Sequence, residues 1–153
     1  PRPLSEDGEA PVTSYIIDTN ALISFVTDRN ALQQNQMKAL FETAAQLKCR
    51  ICCPQYVITE FVYVMEKIYH VPSSTTQSIV RDFLDMAGVE VIHELDYKIL
   101  FSLWPELIND FADAIVASAC KTHKQAILAT FDKKLITALK KSGMPAQRFL
   151  KHA

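Results

Sequence analysis

Ser14-Tyr15-Ile16-Ile17-Asp18-Thr19-Asn20 decides how this chain is read. A short apolar run reads as a buried strand and ends at once in a carboxylate. Asn20-Ala21-Leu22-Ile23-Ser24-Phe25-Val26 then continues as a helix. A strand apolar on both faces belongs in a parallel sheet covered by helices. Outward from this junction the alternation repeats. Arg50 to Cys53, Gly88 to Ile92 and Ala126 to Thr130 read as further strands. Helical spacing of apolar residues runs from Ala31 to Lys48 and from Gln55 to His70. It runs again from a Ser73 or Ser74 cap to Ala87, from Asp96 to Leu103, from Asn109 to His123 and from Asp132 to Lys141. The stretch after Met144 offers a poorly marked fifth strand. The prediction is an α/β fold: a three-layer α/β/α sandwich around a mostly parallel, Rossmann-like sheet of four to five strands.

The chain has 153 residues, the size of one domain with a substantial core. The expected organisation is a flexible N-terminal tail over residues 1–13 and a single domain over residues 14–150. The tail has neither a basic start nor an apolar stretch, so it does not read as a secretory signal. No apolar run approaches the ~20 residues of a membrane helix, and the expected location is the cytoplasm. Only 3 glycines are present, which argues against glycine-rich phosphate loops and a turn-rich all-β fold. Cys49, Cys52, Cys53 and Cys120 read as reduced, partly buried thiols. A zinc site through Cys49 and Cys52 would need a second ligand pair, which only Cys120 and His123 offer.

The net charge is −1, unevenly spread. Residues 1–120 hold 8 Lys/Arg against 16 Asp/Glu, whereas residues 121–153 hold 8 Lys/Arg against Asp132 alone. An acidic body with a basic C-terminal part suits a cation site beside a surface for phosphate backbones, and exposed lysine-rich helices would give the same count.

In an open parallel sheet, sites form beyond the carboxyl ends of the strands. Asp18 ends the first strand and Asp132 lies two residues past the fourth, and each would also serve as a helix N-cap. Asp110 and Asp113 share one face at a helix start, where the helix dipole also favours acids. Glu60 sits one turn into an apolar helix, where an ordinary solvated glutamate is the plainer reading. Together these acids gain weight, because carboxylates in one pocket repel each other unless a divalent cation neutralises them. Mg²⁺ or Mn²⁺, hard ions that take oxygen ligands, fit such a set. No Cys or His is placed as a nucleophile, so metal-assisted hydrolysis is the chemistry the set supports.

These residues resemble the PIN-domain family. Ile16-Ile17-Asp18-Thr19-Asn20-Ala21-Leu22 is similar to its opening strand and turn, and Thr59-Glu60-Phe61-Val62-Tyr63-Val64 to its second acidic motif. Asp110-Phe111-Ala112-Asp113-Ala114-Ile115-Val116-Ala117 is similar to the third, and Ala129-Thr130-Phe131-Asp132-Lys133-Lys134-Leu135 to the fourth. The resemblance covers about residues 14 to 141. It implies a metal-dependent ribonuclease that uses Mg²⁺ or Mn²⁺. Asp18, Glu60, Asp113 and Asp132 would be the catalytic, metal-binding acids, with Asp110 as an additional one. Asn20 and Thr130 would be polar supports. Thr59 gains no role. The compact layout is similar to that of VapC-type toxins, which implies an antitoxin protein partner and a homodimer.

Lys121, Lys124, Lys133 and Lys134 are the expected contacts to an RNA backbone. Two other readings compete. One is a non-catalytic module of the same fold that binds RNA or protein. The other is a phosphoryl-aspartate enzyme, which also places an aspartate after strand one but needs a second acid two residues on, where this chain has Asn20.

Overall fold

The computed structural model describes residues 12–151. Four strands form one all-parallel sheet in the order β3-β2-β1-β4. In chain order, β1 (Thr13–Ile17) leads into α1 (Thr19–Val26) and α2 (Ala31–Ala45). Then come β2 (Cys49–Pro54), α3 (Gln55–Lys67), α4 (Ser73–Asp85) and β3 (Val89–Ile92). The chain continues through α5 (Tyr97–Leu103), α6 (Phe111–Thr122), β4 (Ile127–Ala129) and α7 (Lys133–Lys141). The predicted α/β architecture is therefore the observed one. After β3 the chain crosses to the far side of β1 to add β4, so the strand order reverses at β1. A crevice forms at such a switch point, beyond the carboxyl ends of β1 and β4.

Burial explains the strands. Ile16, Ile17, Ile51, Cys53 and Leu128 are fully enclosed, as strands with helices on both faces must be. Phe41 joins α2 to this core, stacked on Phe25 at 4.2 Å between ring centres and edge-on to Phe83 at 5.7 Å. All four cysteines are buried free thiols, and burial pushes Cys53 and Cys120 up to about 12. Among the described residues no helix is long and apolar enough to cross a membrane.

Several expectations need correction. Helices α2 and α3 end three residues before the predicted Lys48 and His70. Leu47 and His70 take the left-handed φ values of 58° and 55°. The Lys48 amide then bonds back to the Thr43 carbonyl, and Val71 to Met65, closing each helix in the way a glycine usually does. Neither Ser73 nor Ser74 caps α4; Pro72 holds that position and offers no side-chain bond. The fifth strand reduces to a single bridge between Leu128 and Phe149 after a 3-10 turn over Ala146–Arg148. That end is fastened by Arg148, whose guanidinium donates to the carbonyls of Ala126, Cys120 and His123. Of the expected tail, residues 1–11 lie outside the described residues, and Thr13 already pairs with Cys49 in the sheet.

Candidate active site

The register of β1 and β4 builds the centre of the site. Ile17 pairs with Ala129, so Asp18 and Thr130 stand side by side one residue further on. Both are buried. Asp18 caps α1, its Oδ1 accepting from the Ala21 amide at 2.8 Å. The Thr130 hydroxyl donates to Asp18 Oδ2 and accepts from the Asp132 amide at 3.0 Å. Asp132 caps α7 through bonds from the Lys134 and Leu135 amides at 2.9 and 3.1 Å. Capping and membership of the cluster thus coexist in the same residues. Each cap uses one carboxylate oxygen on its helix, and in Asp132 the other is left for a ligand.

Asp110 caps α6, accepting from the Asp113 amide at 2.9 Å. Asp113 lies in the first turn of that helix, half-buried, and its carboxylate accepts no hydrogen bond from the described residues. Burial first, and then the Asp110, Asp132, Asp18 and Glu60 charges, push Asp113 up to about 7. Asp18 is pushed up to about 6, mainly by burial, with Asp132 and Glu60 adding to it and the Thr130 and Ala21 hydrogen bonds opposing it. Five acids from four separate segments therefore act on one region. Without a cation they hold part of that charge as protonated acid.

The donor set fits a hard divalent cation, because it offers carboxylate oxygens and a threonine hydroxyl without thiol or imidazole. Among the described residues, no three His, Cys, Asp or Glu side chains converge closely enough to hold an ion by themselves. A cation placed here would use one or two carboxylates and keep water in its remaining positions, as Mg²⁺ commonly does.

The expected basic residues divide. Lys133 and Lys134 stand exposed in the first turn of α7, directly after Asp132. Lys121 lies in the last turn of α6, roughly 12 Å along the axis from Asp113 at 1.5 Å per residue. Lys124 precedes β4 at its amino end, so neither it nor Lys121 borders the crevice. Asn20 is exposed and lines a cleft of about 370 Å³ with Arg29, Asn30, Gln33, Phe131 and Asp132.

Arg29 and Tyr56 are additions that sequence reading missed. Arg29 donates to the Asn20 carbonyl at 2.9 Å and to the Ser24 hydroxyl, which holds its guanidinium over the cleft wall. In the sequence it stands only in a polar break between helices. Tyr56 lies one turn before Glu60 on α3, and its phenol is raised by burial and by the Glu60 and Asp110 charges. The i,i+4 spacing from Glu60 is the signal that would have found it.

Three comparisons bear on this architecture. A family model described as PIN domain matches residues 15–140. Among solved structures, the chain is similar to one in the VapBC2 complex from Rickettsia felis bound to a DNA fragment from its promoter. The TM-score is 0.62 and the identity 19%, over 82% of this chain and 93% of that one. It is similar to VapC20 from Mycobacterium tuberculosis, a sarcin-ricin loop cleaving toxin, with a TM-score of 0.59 and 13% identity over 81% and 94% of the two chains. It is also similar to a chain of a toxin-antitoxin complex from Klebsiella pneumoniae, with a TM-score of 0.60 and 18% identity over 91% and 98%. At these identities the likeness is one of fold. A search of curated protein sequences gives no match.

Proposed function

Because the chain belongs to the PIN domain family, we propose that it is a metal-dependent endoribonuclease whose site is the acid cluster at the carboxyl ends of β1 and β4. One observation carries this reading: Asp113 is held at about 7 by burial and by four surrounding carboxylates, a concentration of charge that a divalent cation would relieve. Asp18, Glu60, Asp113 and Asp132 are assigned to the Mg²⁺ or Mn²⁺ site, one or two of them as direct ligands and the others through its waters, with Asp110 as an outer acid. When bound, the cation supplies Lewis acidity toward the phosphodiester and lowers the pKa of water.

The chain's own residues do the rest. Thr130 fixes Asp18 by donating to its Oδ2 and fixes the start of α7 through the Asp132 amide. Asp113, free of a capping bond, can turn toward cation or water. Arg29 offers its guanidinium to a backbone phosphate in the cleft beside Asp132. Lys133 and Lys134 extend that cationic edge. Lys121 and Lys124, at the other end of β4, are not assigned to the substrate near the cut.

The described toxin-antitoxin neighbours support a further reading. The chain would act in the cytoplasm as the toxin of such a pair, with an antitoxin protein and a second copy of itself as partners.

The test is cleavage of a labelled single-stranded RNA in EDTA, Mg²⁺ or Mn²⁺ by wild type and Asp113→Asn. The expected result is cutting that needs metal and is lost in the variant. Equal cutting by the variant would remove Asp113 from the site. Mn²⁺ binding without any cutting would favour a non-catalytic RNA- or protein-binding module.

A further inference from the structure

A second cavity, of about 820 Å³, opens between α3, α5 and α6. It borders the acid cluster on two sides. Thr59 and Tyr56 line it from α3, where Glu60 is the next residue, and Phe111 lines it from α6, between Asp110 and Asp113 in sequence. Three Tyr and Phe rings in its wall are left open to solvent: Tyr97 at 58% exposure, Phe111 at 40% and Tyr56 at 38%. Large apolar groups gathered at an open surface mark a binding site more often than chance.

The rings are braced. Tyr97 contacts Phe101 at 5.8 Å between centres, Phe101 contacts Trp104 at 6.5 Å, and Trp104 meets Phe111 edge-on at 5.0 Å. A flat ring supported from behind loses little freedom when another flat group stacks on it.

The charge around the rings narrows the ligand. No lysine or arginine lines the cavity; Glu94 and Asp96 do, together with His123 and with His93, whose Nδ1 lies 3.4 Å from Gln55 Oε1. A phosphate would be repelled there. Asp96 spends Oδ1 on capping α5, which leaves Oδ2 as an acceptor. Gln55 and Thr59 add amide and hydroxyl groups. A neutral aromatic group carrying amino hydrogens matches such a wall.

We propose that this cavity is a base-binding subsite, which takes an unstacked base bearing an exocyclic amine (adenine, cytosine or guanine) of a single-stranded RNA onto the Tyr97 and Phe111 rings beside the bond that the acids cut. The proposal rests on the ribonuclease reading and adds substrate class and position to it. A base inside a duplex presents no free face and cannot enter. Uracil lacks the exocyclic amine that Glu94 and Asp96 would accept.

The test is fluorescence anisotropy of a labelled single-stranded decamer of adenosine and cytidine, in EDTA so that nothing is cut. Trp104, the one tryptophan of the chain and a neighbour of Phe111, gives a local signal. Wild type should bind with a change in Trp104 emission, and neither the hybridised duplex nor a uridine decamer should match that affinity. Tyr97→Ala and Phe111→Ala should each weaken binding about tenfold, the scale of one lost base-aromatic stack. Phe101→Ala removes the brace behind Tyr97 and no ring of the cavity wall, so it should weaken binding less than either wall variant. Tyr97→Leu and Phe111→Leu keep the bulk and lose the flat face, and they carry the test if an alanine variant fails to fold.

Unchanged affinity in both ring variants, or no binding by wild type, overturns the subsite. So does an unchanged RNA affinity while Tyr97→Ala and Phe101→Ala both dissociate a dimer, because the rings would then face a second copy. Cleavage in Mg²⁺ is scored separately: a wild type that binds the decamer but never cuts refutes the nuclease reading and leaves the base pocket standing.

Discussion

The hydroxyl of Thr130 donates to Oδ2 of Asp18 and joins the ends of β1 and β4, residues 112 positions apart in the chain. The same oxygen accepts from the amide of Asp132, so a single side chain sets the spacing between two acids of the site. Thr130 and Asp18 are both buried, so Asp18 Oδ2 has no water to turn to if the hydroxyl is lost.

Thr130→Val keeps the β-branched shape and removes both bonds. Asp18 loses the donor that opposes the effect of burial and binds its proton more tightly. A carboxylate must shed that proton to hold a cation, so Mn²⁺ affinity near pH 7 should fall and stability should drop by about 1–2 kcal/mol. Thr130→Ser, which retains both bonds, should restore both quantities. Calorimetric Mn²⁺ titration and urea unfolding measure them, and a valine variant with wild-type metal affinity would exclude this role.

Without metal, the two raised carboxyls make the protein less stable at high pH. In the unfolded chain they ionise near the ordinary 3.8, and in the fold near 6 for Asp18 and 7 for Asp113. Between those values the native state holds more protons, so the stability they contribute is complete below 3.8 and is lost as the pH rises to about 6 and 7. For buried Asp18 alone this amounts to about 3 kcal/mol at most. In EDTA, Asp113→Asn should therefore melt higher than wild type at pH 8 and lose that advantage at pH 5. Mn²⁺ should raise the wild-type Tm more at pH 8 than at pH 5. Melting curves at the two pH values decide it, and a wild type whose difference from the variant ignores pH would contradict the cluster.

Arg29→Gln should raise KM for single-stranded RNA several-fold and leave kcat near wild type, because its guanidinium borders the cleft and is held by the Asn20 carbonyl and the Ser24 hydroxyl, with no ion pair to the acids among the described residues. Losing one phosphate contact should also make the salt dependence shallower, by about 0.7 in slope. Steady-state kinetics at several salt concentrations provide both numbers. A fall in kcat alone would place Arg29 in the chemical step.

Gly88→Ala tests the fold away from the site. Gly88 has φ +80°, and a Cβ there would stand 2.4 Å from the Ala44 carbonyl oxygen. The Gly88 carbonyl also accepts from the Ile51 amide, at the start of the β2–β3 pairing. The variant should lose at least ~1 kcal/mol in urea unfolding with its metal affinity intact. Wild-type stability would show that this turn relaxes freely.

Where sequence and structure part, the cause is local and identifiable. The ends of α2 and α3 were overrun because Leu47 and His70 adopt a backbone that only glycine announces in advance. The stretch after Met144 marks a fifth strand only weakly, and in the fold Phe149 meets β4 through one bridge with no ladder. Lys121 and Lys124 were grouped with Lys133 and Lys134 by nearness in sequence, yet a helix and a strand carry the first two to the opposite end of the sheet.

The sequence by itself determined the α/β alternation and the positions of Asp18, Glu60, Asp113 and Asp132 at strand ends or in the first two helical turns. Those features depend on periodicity and on the backbone near each residue, which a single stretch of chain contains. Only the tertiary structure decided the order β3-β2-β1-β4, and with it the Thr130 to Asp18 bond. It also decided the raised Asp113 carboxyl, the reach of Arg29, and the ring-lined cavity beside Thr59. These depend on which segments are brought side by side and how much water is excluded between them, and no local pattern encodes either.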